Sequence, residues 1–184
     1  EYDAFGQIVY QGLNANYRIT GTTPEYLSVR NLSLAEGDFI DATQVTGSSN
    51  VAVLGANVAQ NLFQGVDPVG QSLRINNVAF RVIGVLTTKG GTGFGSLDDQ
   101  VVVPLTTAQQ RLTGPGQYRG SNTVSDINVQ IVDAAQNDAA VQQVSAILRE
   151  RHHLTGDDDF TVTSQQDILQ TATATTQIFT LFLG

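Results

Sequence analysis

The sequence predicts an α+β chain in which a mostly-β middle is inserted between outer segments that alternate strand and helix. Three stretches predict it. Residues 67–86 read as turn, strand, tight turn, strand; residues 125–132 alternate apolar and polar; residues 137–151 carry apolar side chains at helical spacing.

The first of these organises the rest. Asp67-Pro68 and Gly70 punctuate its entry. Leu73 and Ile75, then Val78, Phe80, Val82 and Val85, give two half-buried strand patterns. Asn76-Asn77 between them suits the positive φ of a two-residue hairpin turn. Gly84 inside the second strand predicts a bulge or a close backbone approach.

Taken in order, residues 1–22 predict two strands, around Phe5 to Tyr10 and Tyr17 to Gly21, with Asn14 to Asn16 as the turn. Thr23-Pro24 predicts a helix start, since Thr caps and the missing N–H of Pro costs nothing in a first turn. Tyr26, Leu27 and Val29 are its core-facing residues. Gly37 and Asp38 form a turn before Phe39-Ile40. Residues 41–50 are polar and predict a crossing between subdomains. Val51 to Gly55 is a continuous apolar run, expected as a buried strand, and 57–63 a helix presenting Val58, Leu62 and Phe63. Residues 87–99 form a Gly-rich loop. Residues 101–105 predict a short strand, and Pro104 places it at an edge or at its own end. Thr106 or Thr107 is expected to cap a helix over 108–112. Residues 114–123 are a second polar crossing.

Ser125 to Val132 shows the clearest strand pattern of the chain, with Ile127, Val129 and Ile131 on one face and Asp126, Asn128 and Gln130 on the other. Residues 137–151 show the clearest helix pattern: Val141, Val144, Ile147 and Leu148 form the stripe, with Asp138 near its start and Arg149 and Arg151 near its end, as the helix dipole favours. Phe160 to Thr163 predicts a strand. Ser164 with Asp167 resembles a capping box opening a last helix that ends near Thr176.

Composition narrows the function. Of 184 residues 41% are hydrophobic, which excludes a disordered chain. The net charge of -8 disfavours nucleic acid and anionic lipid. No cysteine is present, which excludes disulfides, thiolate metal sites and thiol nucleophiles. The apolar run 178–184 reads as the truncated start of something longer.

Motifs for chemistry are weak. Lys89 to Gly95 lacks the spacing of a phosphate cradle, and the single Gly55 between strand and helix is no dinucleotide fingerprint. Asp157-Asp158-Asp159 lacks the alternation of a calcium loop, so a solvated acidic turn is the better reading. The neighbouring His152-His153 lacks the i, i+4 spacing of helical zinc ligands and suits the negative end of a helix. Asp98-Asp99 as general acid and base has nothing to place it in a pocket. No cofactor, metal or catalytic residue is expected. Lys89, Gly91, Phe94 and Asp98 are the candidate partner-contact residues.

Ordered stretches carry a resemblance beyond this. They are Gly21-Thr-Thr-Pro-Glu-Tyr-Leu-Ser-Val-Arg-Asn31, Leu34-Ala-Glu-Gly-Asp-Phe39, Val51-Ala-Val-Leu-Gly55, Asn61-Leu-Phe63 and Asp67-Pro-Val-Gly-Gln-Ser-Leu-Arg-Ile75. Phe80-Arg-Val-Ile-Gly-Val-Leu86, Lys89-Gly-Gly91, Gly93-Phe-Gly95, Asp99-Gln-Val-Val-Val-Pro-Leu-Thr-Thr-Ala-Gln-Gln-Arg-Leu112 and Phe160-Thr-Val-Thr-Ser-Gln-Gln-Asp-Ile-Leu169 continue it. Together they resemble the extracytoplasmic core domain of MacB-type ABC transporter permeases, a family that includes lipoprotein-releasing and FtsX-like permeases. The resemblance implies a porter-like β-α-β subdomain made by both chain ends, residues 1–46 and 120–184, carrying an inserted mostly-β lobe over 47–119. It implies membrane helices flanking the segment, a permease twin, an adaptor protein and an ATP-binding domain or chain elsewhere. The function it implies is non-catalytic, passing ATP-driven movement to cargo or adaptor. The rival readings are a small-molecule or lipoprotein binding module using the loop at Lys89, and an enzyme using Asp98, Asp99 or residues 157–159.

Overall fold

The computed structural model describes residues 1–90, 96–112 and 123–164. These fall into two compact units, Glu1–Val129 and the residues from Gln130 onward. The first unit holds seven strands and four helices: β1 Tyr2–Tyr10, β2 Leu13–Thr22, α1 Tyr26–Val29, β3 Leu34–Gly37, α2 Ala42–Thr46, β4 Val51–Leu54, α3 Ala56–Phe63, β5 Ser72–Ile75, β6 Val78–Leu86, β7 Gln100–Pro104 and α4 Leu105–Arg111. The second holds α5, Asn137–Arg151.

The sheet runs β3-β6-β4-β7-β2-β1-β5, and β5 pairs back onto β6. The sheet therefore closes into a six-stranded barrel with β3 added beside the second half of β6. Closure removes most free edges. The β2–β7 and β4–β6 pairs are parallel; the others are antiparallel.

Local chemistry explains the turns. The hairpin β5–β6 turns on Asn76 and Asn77 at φ 46° and 69°, as the sequence predicts. The hairpin β1–β2 turns on Gln11 and Gly12 at φ 45° and 87°, not at Asn14 to Asn16, which lie within β2. A two-residue turn with both φ values positive follows the strand twist, and Gly12 supplies one of them at no steric cost. Gly84 sits where the β4–β6 register slips by a residue. A Cβ there would lie 2.4 Å from the Asp38 carbonyl oxygen, so the bulge and close approach expected of it are both present.

Two apolar clusters flank the sheet. The larger joins Ile8, Ile19, Leu54, Leu73, Ile75, Phe80, Val82, Val101 and Val103 with Val58, Leu62 and Phe63 of α3 and Ala108 of α4. The smaller joins Tyr26, Leu32, Ile40, Val53, Leu86 and Val102. Val101, Val102 and Val103 are fully buried, because β7 lies between β4 and β2. Pro104 ends the strand rather than marking an edge.

Several expectations are corrected. The crossing at 41–50 contains a helix, α2: the Asp41 side chain accepts from the Gln44 N–H while Gln44 returns a bond to the Asp41 N–H. That Asp-x-x-Gln box was present in the sequence. Strands from both sides of the expected 46/47 boundary share one sheet, because backbone pairing across the barrel joins β2 to β7 and β1 to β5. Glu25, not Thr23, precedes α1. Thr106 and Thr107 do not cap α4; their hydroxyls donate to the Val45 and Ser49 carbonyls and tie α4 to the α2 region.

Residues 125–132 form no strand. Ile127 and Val129 are 66% and 56% exposed. Among the described residues their backbone has no ladder partner, and alternation alone cannot supply one. Residues 160–163 are likewise not strand. The predicted α5 is present at its expected bounds, yet Val141, Val144 and Leu148 are only half-buried and Ile147 is exposed. The expected cap at Asp167 and the helix beyond it lie outside the described residues, as do most of residues 114–123.

Candidate functional site

The candidate loop leaves the barrel at the end of β6 and returns at the start of β7. Its base is a clamp built on Asp98. A short helical turn, Leu97–Asp99, is capped by the Ser96 hydroxyl, which accepts from the Asp98 N–H at 3.2 Å. The Asp98 carboxylate then accepts the Lys89 N–H at 2.8 Å and the Gly90 N–H at 2.9 Å. Asp98 is 3% exposed. A carboxylate bonded by two backbone amides is a strong local anchor. It holds the loop shut at its neck; it is not itself available to a partner. Lys89 Nζ donates to the Asn31 carbonyl, fastening the loop to the end of α1. Gly91 and Phe94 lie outside the described residues.

The neighbouring Asp99 accepts from Asn57 Nδ2 at 3.0 Å, at the start of α3. The two carboxylates thus have separate structural partners. Gly55 now has a physical reason: a Cβ there would lie 2.4 Å from the Asp98 carbonyl oxygen, so the clamp can seat against the β4–α3 junction only with glycine in place.

Sequence reasoning missed a polar network at the base of β1, β2 and β7. Arg18 donates two bonds to Asp3, at 3.0 and 2.6 Å. Thr20 Oγ1 lies 3.0 Å from Asp3 Oδ1 and 3.2 Å from Gln100 Oε1, and the Tyr26 hydroxyl donates to Gln100 Oε1 at 3.1 Å. Arg30 donates two bonds to Glu1, at 3.0 and 3.1 Å, and lies 6.0 Å above the Tyr26 ring. The bond with Asp3 raises the Arg18 pKa above its ordinary value, and the bond with Glu1 does the same for Arg30. Burial, with the Glu1 charge second, raises that of Tyr26. The signal was available: Asp3 and Thr20 share one face once the β1–β2 turn is placed at Gln11-Gly12.

The acidic turn of the second unit behaves as the solvated reading expects. Asp158 receives two bonds from Arg149, at 2.6 and 2.8 Å, and its pKa is lowered by them. Asp159 lies 2.8 Å from His152 Nδ1, and His152 packs edge-on to Phe160. Among the described residues no group of three or more His, Cys, Asp or Glu is placed to hold a metal ion.

The whole-chain comparisons decide what this scaffold belongs to. The model of the MacB-like periplasmic core domain matches residues 2–147. The chain is a member of that family. The macrolide export ATP-binding/permease protein MacB of Rhodospirillum rubrum is 40% identical over 176 residues, covering 95% of this chain and 26% of that protein. The protein of the same description from an Azoarcus species is 39% identical, covering 93% and 25%. The chain therefore spans about a quarter of the length of these relatives. In fold it is similar to the periplasmic region of MacB from Actinobacillus actinomycetemcomitans, with TM-score 0.76, 24% identity, and 93% of this chain and 72% of that one covered. The extracellular domain of the Gram-positive ABC-type transporter YknZ matches at TM-score 0.69 and 19% identity, covering 84% and 74%.

A MacB-like periplasmic core domain is the extracytoplasmic part of an ABC transporter permease, and this chain takes that place. Among its described residues no helix is long and apolar enough to cross a membrane.

Proposed function

We propose that this domain is a non-catalytic relay: ATP-driven movement of a permease reaches it through the flanking chain, and it passes that movement to cargo or to an adaptor, beside a twin permease. In this reading the mostly-β lobe over 47–119 supplies β4 to β7 of the barrel, and the segment around α5 belongs to the porter-like part made of 1–46 and 120–184. One observation carries it. The first unit is cross-tied by charge-assisted bonds and buried hydroxyl contacts that join β1, β2, β7 and α1, and by the Asp98 clamp at the loop neck. A body so tied moves as a unit, which is what transmission requires. The family's place on the extracytoplasmic side supplies the setting.

The test uses the absence of cysteine. Phe5 and Val66 are exposed, at 72% and 54%. In a full-length transporter, Phe5→Cys with Val66→Cys carries a spin-label pair within one domain, and Phe5→Cys alone in each twin carries a pair between domains. The expected result is an intradomain distance unchanged by ATP and an interdomain distance that shifts. An unchanged interdomain distance through the ATP cycle overturns the relay. Saturable binding of a small ligand to the isolated domain, lost on changing Lys89, would favour the binding-module alternative.

A further inference from the structure

Residues 123–129 close the first unit, and apolar burial does not hold them to it: Ile127 is 66% exposed and Val129 56%. Polar bonds hold them instead. At the start of the segment the Thr123 carbonyl accepts from Gln109 Nε2 of α4 at 2.8 Å. The Ser125 N–H donates to the Glu1 carbonyl at 2.8 Å, and Ser125 Oγ accepts the Asp3 N–H at 3.2 Å. Glu1 and Asp126 then bond in both directions. The Glu1 nitrogen donates to the Asp126 carbonyl at 2.6 Å, and the Asp126 N–H donates to the Glu1 carbonyl at 3.3 Å. Such an exchange is the hydrogen-bonded pair of antiparallel chains, so the segment runs opposite to β1 and leaves it after Asp126. Asn128 Nδ2 reaches back to Glu1 Oε1 at 2.6 Å.

The Glu1 side chain fixes this point to the barrel. It is 4% exposed, and Arg30, just past α1, donates to its two oxygens at 3.0 and 3.1 Å. A guanidinium fork on a carboxylate sets direction as well as distance. Arg30 in turn lies over the ring of Tyr26, which belongs to the smaller apolar cluster and whose hydroxyl reaches Gln100 on β7. One buried carboxylate therefore joins three pieces of chain that are far apart in sequence: the start of β1, the end of α1 and the segment 125–128.

Val129 is the last residue of the first unit. Movement carried along the chain toward lower residue numbers meets Asn128 and then Asp126, and both are bonded to Glu1.

We propose that Glu1 is a positioning residue of the relay: its carboxylate, gripped by Arg30, staples residues 125–128 to the barrel, and movement along the chain is handed to the barrel there. This inference rests on the relay reading. With the staple broken, 125–128 pivots about Thr123 and the barrel is left behind.

Amide exchange of the complete chain and spin labels in the full-length transporter test this. Glu1→Ala is expected to speed exchange of the Ser125 and Asp126 amides by about tenfold, while the Val82 and Val102 amides stay protected. Glu1→Gln keeps one acceptor oxygen and is expected to recover part of the protection. Should Glu1→Ala expose Val82 and Val102, Asn128→Ala takes its place; it removes only the segment's side of the grip, and about a threefold increase is expected. In the transporter, a label pair at Phe5→Cys of the twins is compared with one at Val129→Cys through the ATP cycle. With Glu1 intact, both distances are expected to shift. With Glu1→Ala and ATP hydrolysis retained, the Val129 pair still shifts and the Phe5 pair does not. Unchanged exchange at Asp126, a Phe5 shift as large as with Glu1 intact, or loss of both shifts overturns the proposal. A Phe5 pair that stays still even with Glu1 intact is the separate failure of the relay, and the handover falls with it.

Discussion

The barrel and the stretch from 123 to 164 are built from equally legible sequence, and they differ in what their apolar faces meet. In the barrel, four-residue strands such as β4 and β5 are ordered, because closure gives each a partner on both sides and two helices cover the core. In the later stretch, the longest clean alternation has no ladder among the described residues, and α5, the longest described helix, buries none of its stripe completely. Periodicity states which face is apolar. Only a neighbour turns that face into stability, since each ordered residue costs about 1–2 kcal/mol of conformational entropy that contacts must offset.

This comparison can be broken in descending steps. Phe80→Ala, at a side chain 1% exposed, is expected to cost about 3–5 kcal/mol, read from urea unfolding. An effect below about 1 kcal/mol would mean that the barrel core is not the source of its order. Asp98→Ala leaves the Lys89 and Gly90 amides without their acceptor and is expected to cost about 1–3 kcal/mol. It should also speed proteolysis within 87–99, and unchanged cleavage would remove the clamp. Ile147→Ser on α5 is expected to change stability by less than about 0.5 kcal/mol; a large loss would show that the stripe is buried after all.

Two pH tests sharpen the same contrast. Burial raises the Tyr26 pKa. Its folded value lies above its unfolded one, so its contribution is complete below the unfolded pKa and is lost as pH rises through the folded value. Burial raises the Tyr2 pKa as well, so absorbance titration should show a late-ionising tyrosine component that Tyr26→Phe reduces but does not abolish. In the second unit, the Asp158 pKa is lowered by Arg149. Its contribution is present above the unfolded value of a carboxyl group and is lost as pH falls through the lowered one. This exposed pair is expected to give the smallest effect, seen as fraying of the end of α5 by NMR in acid and absent in Asp158→Asn.

Where the sequence reading succeeded and failed follows one line. The Asn76-Asn77 turn, the bulge at Gly84 and the Val58/Leu62/Phe63 face of α3 were legible because each is decided within a few residues. The turn at Gln11-Gly12 and the Asp41/Gln44 box were equally local and were overlooked. The Asp98 clamp was not legible: its carboxylate meets amides eight and nine residues earlier in the chain, through a fold of the loop that no spacing encodes. The network from Asp3 to Gln100 depends on β2 lying beside β7, a parallel pairing across some eighty residues.

Local chemistry in the sequence by itself determined the turns, the helix bounds, the apolar faces and, through ordered motifs, the family. Tertiary structure alone decided that the sheet closes, that Val101 to Val103 lie at its centre, and that the apolar face of residues 125–132 remains open. The reason is the range of the forces. Dihedral preference and side-chain period act over a turn or two, whereas strand pairing and burial are settled by which distant segments arrive at the same edge.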